Sequence, residues 1–227
     1  MFPGAHVAES PDKPAVIMAT SGEVLTYRDL DAQANQVSHL FRSLGLKPGD
    51  HVAFCLENHP RYFALAWGAH YAGLYYTAMS SRLTTDEMAY IIADCGARAF
   101  VTSAYKRDQA AELVDRVGDV TLYMMDGTIA GYHAWEEALA GMPTTPLEEE
   151  RVEGRDMLYS SGTTGQPKGV EVALPNAPLG TGEGVFMLVM GLFGATPEKV
   201  YLSPAPLYHA APLRFCMAFH RVGRPWW

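Results

Sequence analysis

The chain has 227 residues, 48% of them hydrophobic and 19% charged, with a formal net charge of −8. This is globular composition, enough for one large domain or two small ones. An acidic chain without a Lys/Arg cluster argues against a nucleic-acid partner, so any phosphate must be bound locally, by backbone dipoles and one or two cations.

Residues 16–19 and 24–25 read as two short strands around a turn at Ser21-Gly22. Thr26 caps a helix whose apolar positions Tyr27, Leu30, Ala34, Val37, Phe41 and Leu44 recur at spacings of three and four, and Gly45 ends it. A buried strand follows at 51–56, a helix at 60–71 and a strand at 74–78. Thr84 and Glu87 form a capping box that opens a helix carrying Met88, Ile91 and Ile92 inward, and Gly96 closes it. Then come a strand at 99–102, a helix at 106–117 and a strand at 120–124. Such alternation with short turns predicts an α/β fold: a mainly parallel sheet covered by helices on both faces.

The pattern breaks at 141–153, where two prolines and the run Glu148-Glu149-Glu150 read as a solvated linker. A strand at 156–159, a second at 169–174 and a core helix over 185–193 are expected beyond it. That last run, the longest apolar one, is too short to span a bilayer. The first residues lack the basic and apolar regions of a signal peptide. Cys55, Cys95 and Cys216 are far apart, which argues against a disulfide framework or a zinc site. They are expected to be buried and reduced in a cytoplasmic protein. His6, His39, His51, His59, His70, His133 and His220 show no ligand spacing and read as structural or exposed.

The stretch 159–170, Tyr-Ser-Ser-Gly-Thr-Thr-Gly-Gln-Pro-Lys-Gly-Val, combines three glycines, four hydroxyl side chains besides the tyrosine, and one lysine. Glycines admit close backbone approach, hydroxyls donate and the lysine adds a point charge; together they make a polyphosphate holder. It is not a Walker A loop, because Pro167 and Gly169 discourage the helix that pattern requires. A strand–loop–strand arrangement is predicted.

This string resembles the first signature of the adenylate-forming enzymes: acyl-CoA synthetases, luciferases and the adenylation domains of peptide synthetases. Their pattern, Tyr/Phe-Ser/Thr-Ser-Gly-Ser/Thr-Thr-Gly-x-Pro-Lys-Gly-Val, is matched at every defined position. The stretches 25–30, 34–35 and 44–50 are also similar to this family, as is Pro206-Leu207-Tyr208-His209. Thr77-Ala78-Met79-Ser80 departs from the family's usual Pro-x-Asn at that place.

The resemblance implies a ligase of the acyl-CoA synthetase type, with ATP, Mg2+ and coenzyme A as co-substrates and a small carboxylic acid of the fatty-acid or aryl-acid type as substrate. It further implies that Ser160, Ser161, Thr163 and Thr164 donate hydroxyls, that Gly162 and Gly165 bring backbone close, and that Lys168 faces the β- and γ-phosphates. His209 would stand against the acyl carboxylate or α-phosphate, with Tyr208 as pocket wall; Lys168 and His209 are the catalytic candidates.

On this basis 1–140 is an α/β subdomain, 141–155 an acidic linker, and 156–222 the phosphate-loop and acyl-pocket segment of the same large domain. The family's adenine, ribose, hinge and C-terminal lysine signatures have no counterpart here. The expectation is therefore an incomplete N-terminal part of the large domain with little ligase activity alone. The alternative is a non-enzymatic nucleotide-binding fragment or pseudogene product. The ending after Gly223, Arg-Pro-Trp-Trp, is out of character for a strand, and a frameshift there is expected, with Trp226 and Trp227 out of frame.

Overall fold

The computed structural model describes residues 1–160, 166–181, 184–194, 196 and 200–223, with the side chains of 189 and 190 left aside. A short antiparallel pair, β1 (Pro14–Ile17) and β2 (Val24–Thr26), leads into α1 (Tyr27–Ser43). Thr26 and Asp29 form a full capping box at its start, and Gly45, at φ 75°, ends it.

Six strands then build one parallel sheet. They are β3 (His51–Cys55), β4 (Tyr75–Met79), β5 (Ala97–Ser103), β6 (Thr121–Met125), β7 (His133–Ala134) and β8 (Arg155–Asp156), in the spatial order β7-β6-β5-β3-β4-β8. The intervening helices are α2 (Tyr62–Tyr71), α3 (Thr85–Asp94), α4 (Arg107–Leu113) and α5 (Trp135–Ala140).

Successive strand side chains point to opposite faces, so each strand feeds two cores. Val52, Phe54, Tyr76, Ala78 and Val101 join α1 and α2 on one face. Ala53, Cys55, Tyr75, Met79, Phe100 and Leu122 join α3 and α4 on the other. Every residue of α2 is buried, which its all-round apolar composition requires. All three cysteines are free and buried, and burial pushes the Cys55 and Cys216 thiols up to about 12, where they stay protonated and inert.

Beyond the sheet, β9 (Leu158–Ser160) pairs antiparallel with β10 (Lys168–Val170), followed by α6 (Gly184–Leu192) and α7 (Ala210–Arg221). Two ion pairs fasten α7 to the segment entering the hairpin. Arg221 Nη2 lies 2.9 Å from Glu153 Oε2, and Arg214 Nη2 lies 2.9 Å from Asp156 Oδ2. Seven residues of helix rise about 10.5 Å and three residues of strand about 10 Å, so the two pairs match in spacing.

Glu153 also bonds His70 and accepts the Gly180 N–H at 2.8 Å, while Arg221 donates to the Met1 carbonyl at 2.7 Å and lies over the Trp67 ring. Burial raises the Glu153 pKa, but His70 and Arg221 outweigh it and hold the carboxyl well below the usual range.

Several expectations need correction. The 141–153 stretch is exposed or half-buried through 152, but Glu153 is 1% exposed because it neutralises a buried arginine. The apolar run of α6 is not core: Met187 is 68% exposed and Leu192 70%, because only one side of the helix meets α7. The 106–117 helix stops at Leu113 and tightens into a 3-10 turn, and β10 ends at Val170 instead of 174. β7 and α5 were not anticipated. Trp226 and Trp227 lie outside the described residues. No described helix is long and apolar enough to cross a membrane.

Replacing Glu153 with Gln should cost about 3–5 kcal/mol in urea unfolding, because it leaves the Arg221 charge buried and unpaired. A variant with the wild-type midpoint would show that the pair does not carry this weight. His220 is buried between the Trp67 indole N–H, which its Nδ1 accepts at 3.1 Å, and the Ala15 carbonyl at 3.2 Å. Burial lowers its pKa to about 3, against 6.5 when free. The unfolded chain therefore binds the extra proton first, and stability falls as pH drops from 6.5 toward 3. The loss should approach about 1.4 kcal/mol per pH unit and flatten in His220→Gln, as read from unfolding midpoints across that range.

Candidate functional site

The antiparallel pairing of β9 with β10 bears out the two strands expected on either side of the glycine-rich stretch. Ser160 stands directly opposite Lys168, and Tyr159 opposite Gly169. Ser160 and Lys168 thus form the last pair of the ladder next to residues 161–165. Ser161, Gly162, Thr163, Thr164 and Gly165, the centre of the candidate phosphate holder, lie outside the described residues. The Lys168 side chain is exposed and makes no ion pair among the described residues.

The base of the hairpin is tied to α3. The Tyr159 hydroxyl donates to Asp94 Oδ2 at 2.5 Å. Burial and that carboxylate raise the phenol above its ordinary value, so it remains a proton donor at neutral pH. Behind it, a Cβ on Gly169 would come within 2.6 Å of the Met157 methyl and 2.9 Å of the Tyr159 ring. Glycine is needed there for the ring to lie flat against the opposite strand.

A cavity of about 550 Å³ opens at the carboxyl end of β4, walled by Met79, Ser80, Tyr159, Ser160, Tyr208 and His209 among others. The structure therefore brings Ser160, Tyr208 and His209 together. Pro167 is in the wall and Lys168 is not. His209 occupies the N-cap position of α7, with extended backbone (φ −80°, ψ 146°) and no side-chain cap bond. Its ring centroid lies 4.4 Å from that of Tyr208. The wall contributed by 77–80 was noted in the sequence only as a departure. The signal that could have found it is position: these residues end a central parallel strand, and open α/β sheets place their ligand clefts at that edge.

Sequence spacing also missed a cluster at the same edge. Glu57, His59 and Asp126 each bring a potential metal-ligand atom within 4.8 Å of the others. His59 Nδ1 accepts the Arg61 N–H at 3.1 Å, which assigns the ring proton to Nε2, donated to Asp126 Oδ2 at 2.8 Å. Arg61 also contacts Asp126 at 3.3 Å and Glu136 at 3.0 Å. With its ring nitrogens engaged in this way, His59 acts as a structural brace.

Residues 4–224 match the AMP-binding enzyme family, and the chain belongs to that family. It is 31% identical over 174 residues to long-chain fatty acid transport protein 1 of Mus musculus, covering 72% of this chain and 27% of that protein. It is 26% identical over 213 residues to the long-chain-fatty-acid–CoA ligase FadD13 of Mycobacterium tuberculosis, covering 90% of this chain and 39% of that one. The chain thus spans well under half the length of these relatives. MbtA of Mycobacterium smegmatis shares the fold with a TM-score of 0.80 at 26% identity, covering 99% of this chain and 42% of that structure. The architecture is that of the N-terminal domain of adenylate-forming enzymes.

Gly169→Ala should lower stability by about 1–3 kcal/mol, since the new methyl displaces the Tyr159 ring. The companion Tyr159→Leu change should recover part of that loss in thermal melts. Full stability in Gly169→Ala alone would show that the strand-to-ring approach is not limiting.

Proposed function

We propose that this chain is the phosphate-holding and acyl-pocket part of an ATP-dependent acyl-CoA ligase acting on a carboxylic acid of the fatty-acid type. The observation that carries this is Ser160 paired opposite Lys168 on the two strands that flank the glycine-rich stretch, beside a cavity walled by Tyr208 and His209. The family match and the fatty-acid names of the relatives support it.

In the proposed reaction a substrate carboxylate oxygen attacks the α-phosphorus of ATP. The bond to the bridging oxygen breaks and pyrophosphate leaves with the electron pair. The thiol of coenzyme A then adds to the acyl carbon as a thiolate and AMP leaves. Charge builds on phosphate oxygens in the first step, and fixed donors stabilise it best. Ser160, Ser161, Thr163 and Thr164 would donate hydroxyls, Gly162 and Gly165 would present backbone N–H groups, and the Lys168 ammonium would meet the β- and γ-phosphates. His209 would orient the reacting carboxylate, with the Tyr208 ring tilted against it. Among the described residues no carboxylate lines the cavity. Mg2+ bound with the nucleotide would add positive charge where the phosphate oxygens gain negative charge. We assign the chain to the cytoplasm, in keeping with its buried protonated thiols.

Titration calorimetry on the chain with Mg-ATP and with AMP tests the reading. Lys168→Ala should weaken Mg-ATP about ten-fold, the worth of one charge-assisted contact, and leave AMP unchanged, because AMP lacks the phosphates the lysine faces. Equal losses for both nucleotides would remove Lys168 from that role; no binding of either would overturn the reading.

A further inference from the structure

We propose that Asn58 is a positioning residue that sets where Tyr208 and His209 stand, acting through the backbone just before them. The proposal rests on the reading of the Tyr208–His209 cavity given above.

The segment before Tyr208 cannot organise itself. Pro204 and Pro206 have no N–H, so Ala205 and Leu207 carry the only backbone donors of 204–207. Leu207 is fully buried, and a buried N–H needs a partner. Asn58 supplies it: its Oδ1 accepts the Leu207 N–H at 2.9 Å. The same amide donates from Nδ2 to the Ala205 carbonyl at 3.4 Å. One planar side chain therefore reads a donor and an acceptor on either side of Pro206, as a neighbouring strand would. Asparagine offers both functions at this length; aspartate keeps only the acceptor and serine cannot span both.

Asn58 is itself held. It sits in the turn after β3, between two braced residues. Glu57 Oε2 accepts the Ser103 hydroxyl at 2.6 Å, tying the turn to the end of β5. His59 is fixed by the Arg61 N–H and by Asp126 at the end of β6. The cluster of Glu57, His59 and Asp126 thereby acquires a purpose: it holds the turn that presents the Asn58 amide. From Leu207 the position passes onward by short covalent and hydrogen-bonded steps. The His209 N–H donates to the Pro206 carbonyl at 3.2 Å, and the His209 carbonyl accepts the Leu213 N–H at 3.1 Å in the first turn of α7.

The test uses the isotope-labelled chain with Asn58→Ala and Asn58→Asp. Three readouts are taken: Leu207 amide exchange, the His209 ring resonances, and the Kd for a non-hydrolysable acyl-sulfamoyl adenosine. In Asn58→Ala, Leu207 should lose protection and the probe should bind more weakly, each about ten-fold, the scale of one lost hydrogen bond. The His209 ring signals should move while amides of β3, β5 and β6 keep their protection. Asn58→Asp should keep Leu207 protected, since the acceptor remains. Unchanged His209 signals in Asn58→Ala overturn the proposal, whether or not Leu207 exchange rises, because a purely structural contact would behave that way. Should Asn58→Ala not fold, loss of Leu207 protection in Asn58→Asp overturns it. If the wild-type chain does not bind the probe, the functional reading fails, and the exchange and ring signals still decide the positioning role.

Discussion

The burial of Glu153 against Arg221 and His70 is the constraint on which the rest depends. A charge taken out of water is tolerable only when paired and fully hydrogen-bonded, and these groups have almost no solvent exposure. The carboxylate is satisfied from three directions, by α2, by α7 and by the Gly180 backbone. Such a knot specifies geometry more than it adds stability, because a buried ion pair gains little over apolar packing but leaves a bare charge if either partner is displaced. The second pair, Asp156 with Arg214, repeats the specification two helical turns away. Together they set α7 antiparallel to the strand that enters the hairpin. Ser160 rides on the continuation of that strand and His209 on the start of that helix. One set of ion pairs therefore sets the distance between the two halves of the candidate site.

The parallel sheet supplies the second constraint. Its strands are buried on both faces, so their side chains are committed to packing along their length. Polar chemistry is left to the strand ends. At the carboxyl edge the turns after β3, β4 and β6 and the end of β5 bring Glu57, Asn58, Ser80, Ser103 and Asp126 into one neighbourhood of hydrogen bonds and cavity wall. The site is assembled there because this is where backbone and side chains are both free to turn outward.

What could be read in advance followed from local rules. The helix cap at Thr26, the capping box at Thr84 and the glycine stop at Gly45 act within a few residues, and each appears in the structure as expected. The alternation of strands and helices was legible because its periods differ. The hairpin around the glycine-rich loop was legible because Pro167 and Gly169 exclude a helix. The failures share a different cause. Apolarity over 185–193 says that the side chains avoid water, but it does not say what covers them, and α6 lies half open. The prolines and acidic run of 141–153 suggested a solvated linker, yet Glu153 is drawn inward by an arginine 68 residues away. His59 carried no spacing signal because its partner Asp126 lies 67 residues off.

The sequence by itself determined the class of fold and the family, and it named candidates for holding a phosphate, since these depend on periodicity and on a contiguous string. Only the tertiary structure decided which of those residues meet. It placed Ser160 with Tyr208 and His209 around one cavity, left Lys168 outside the wall, and made an unremarked asparagine the support of the Tyr–His pair. The reason is physical: hydrogen bonds and ion pairs between residues 58 and 207, or 153 and 221, depend on where the chain returns in space, and no local pattern records that.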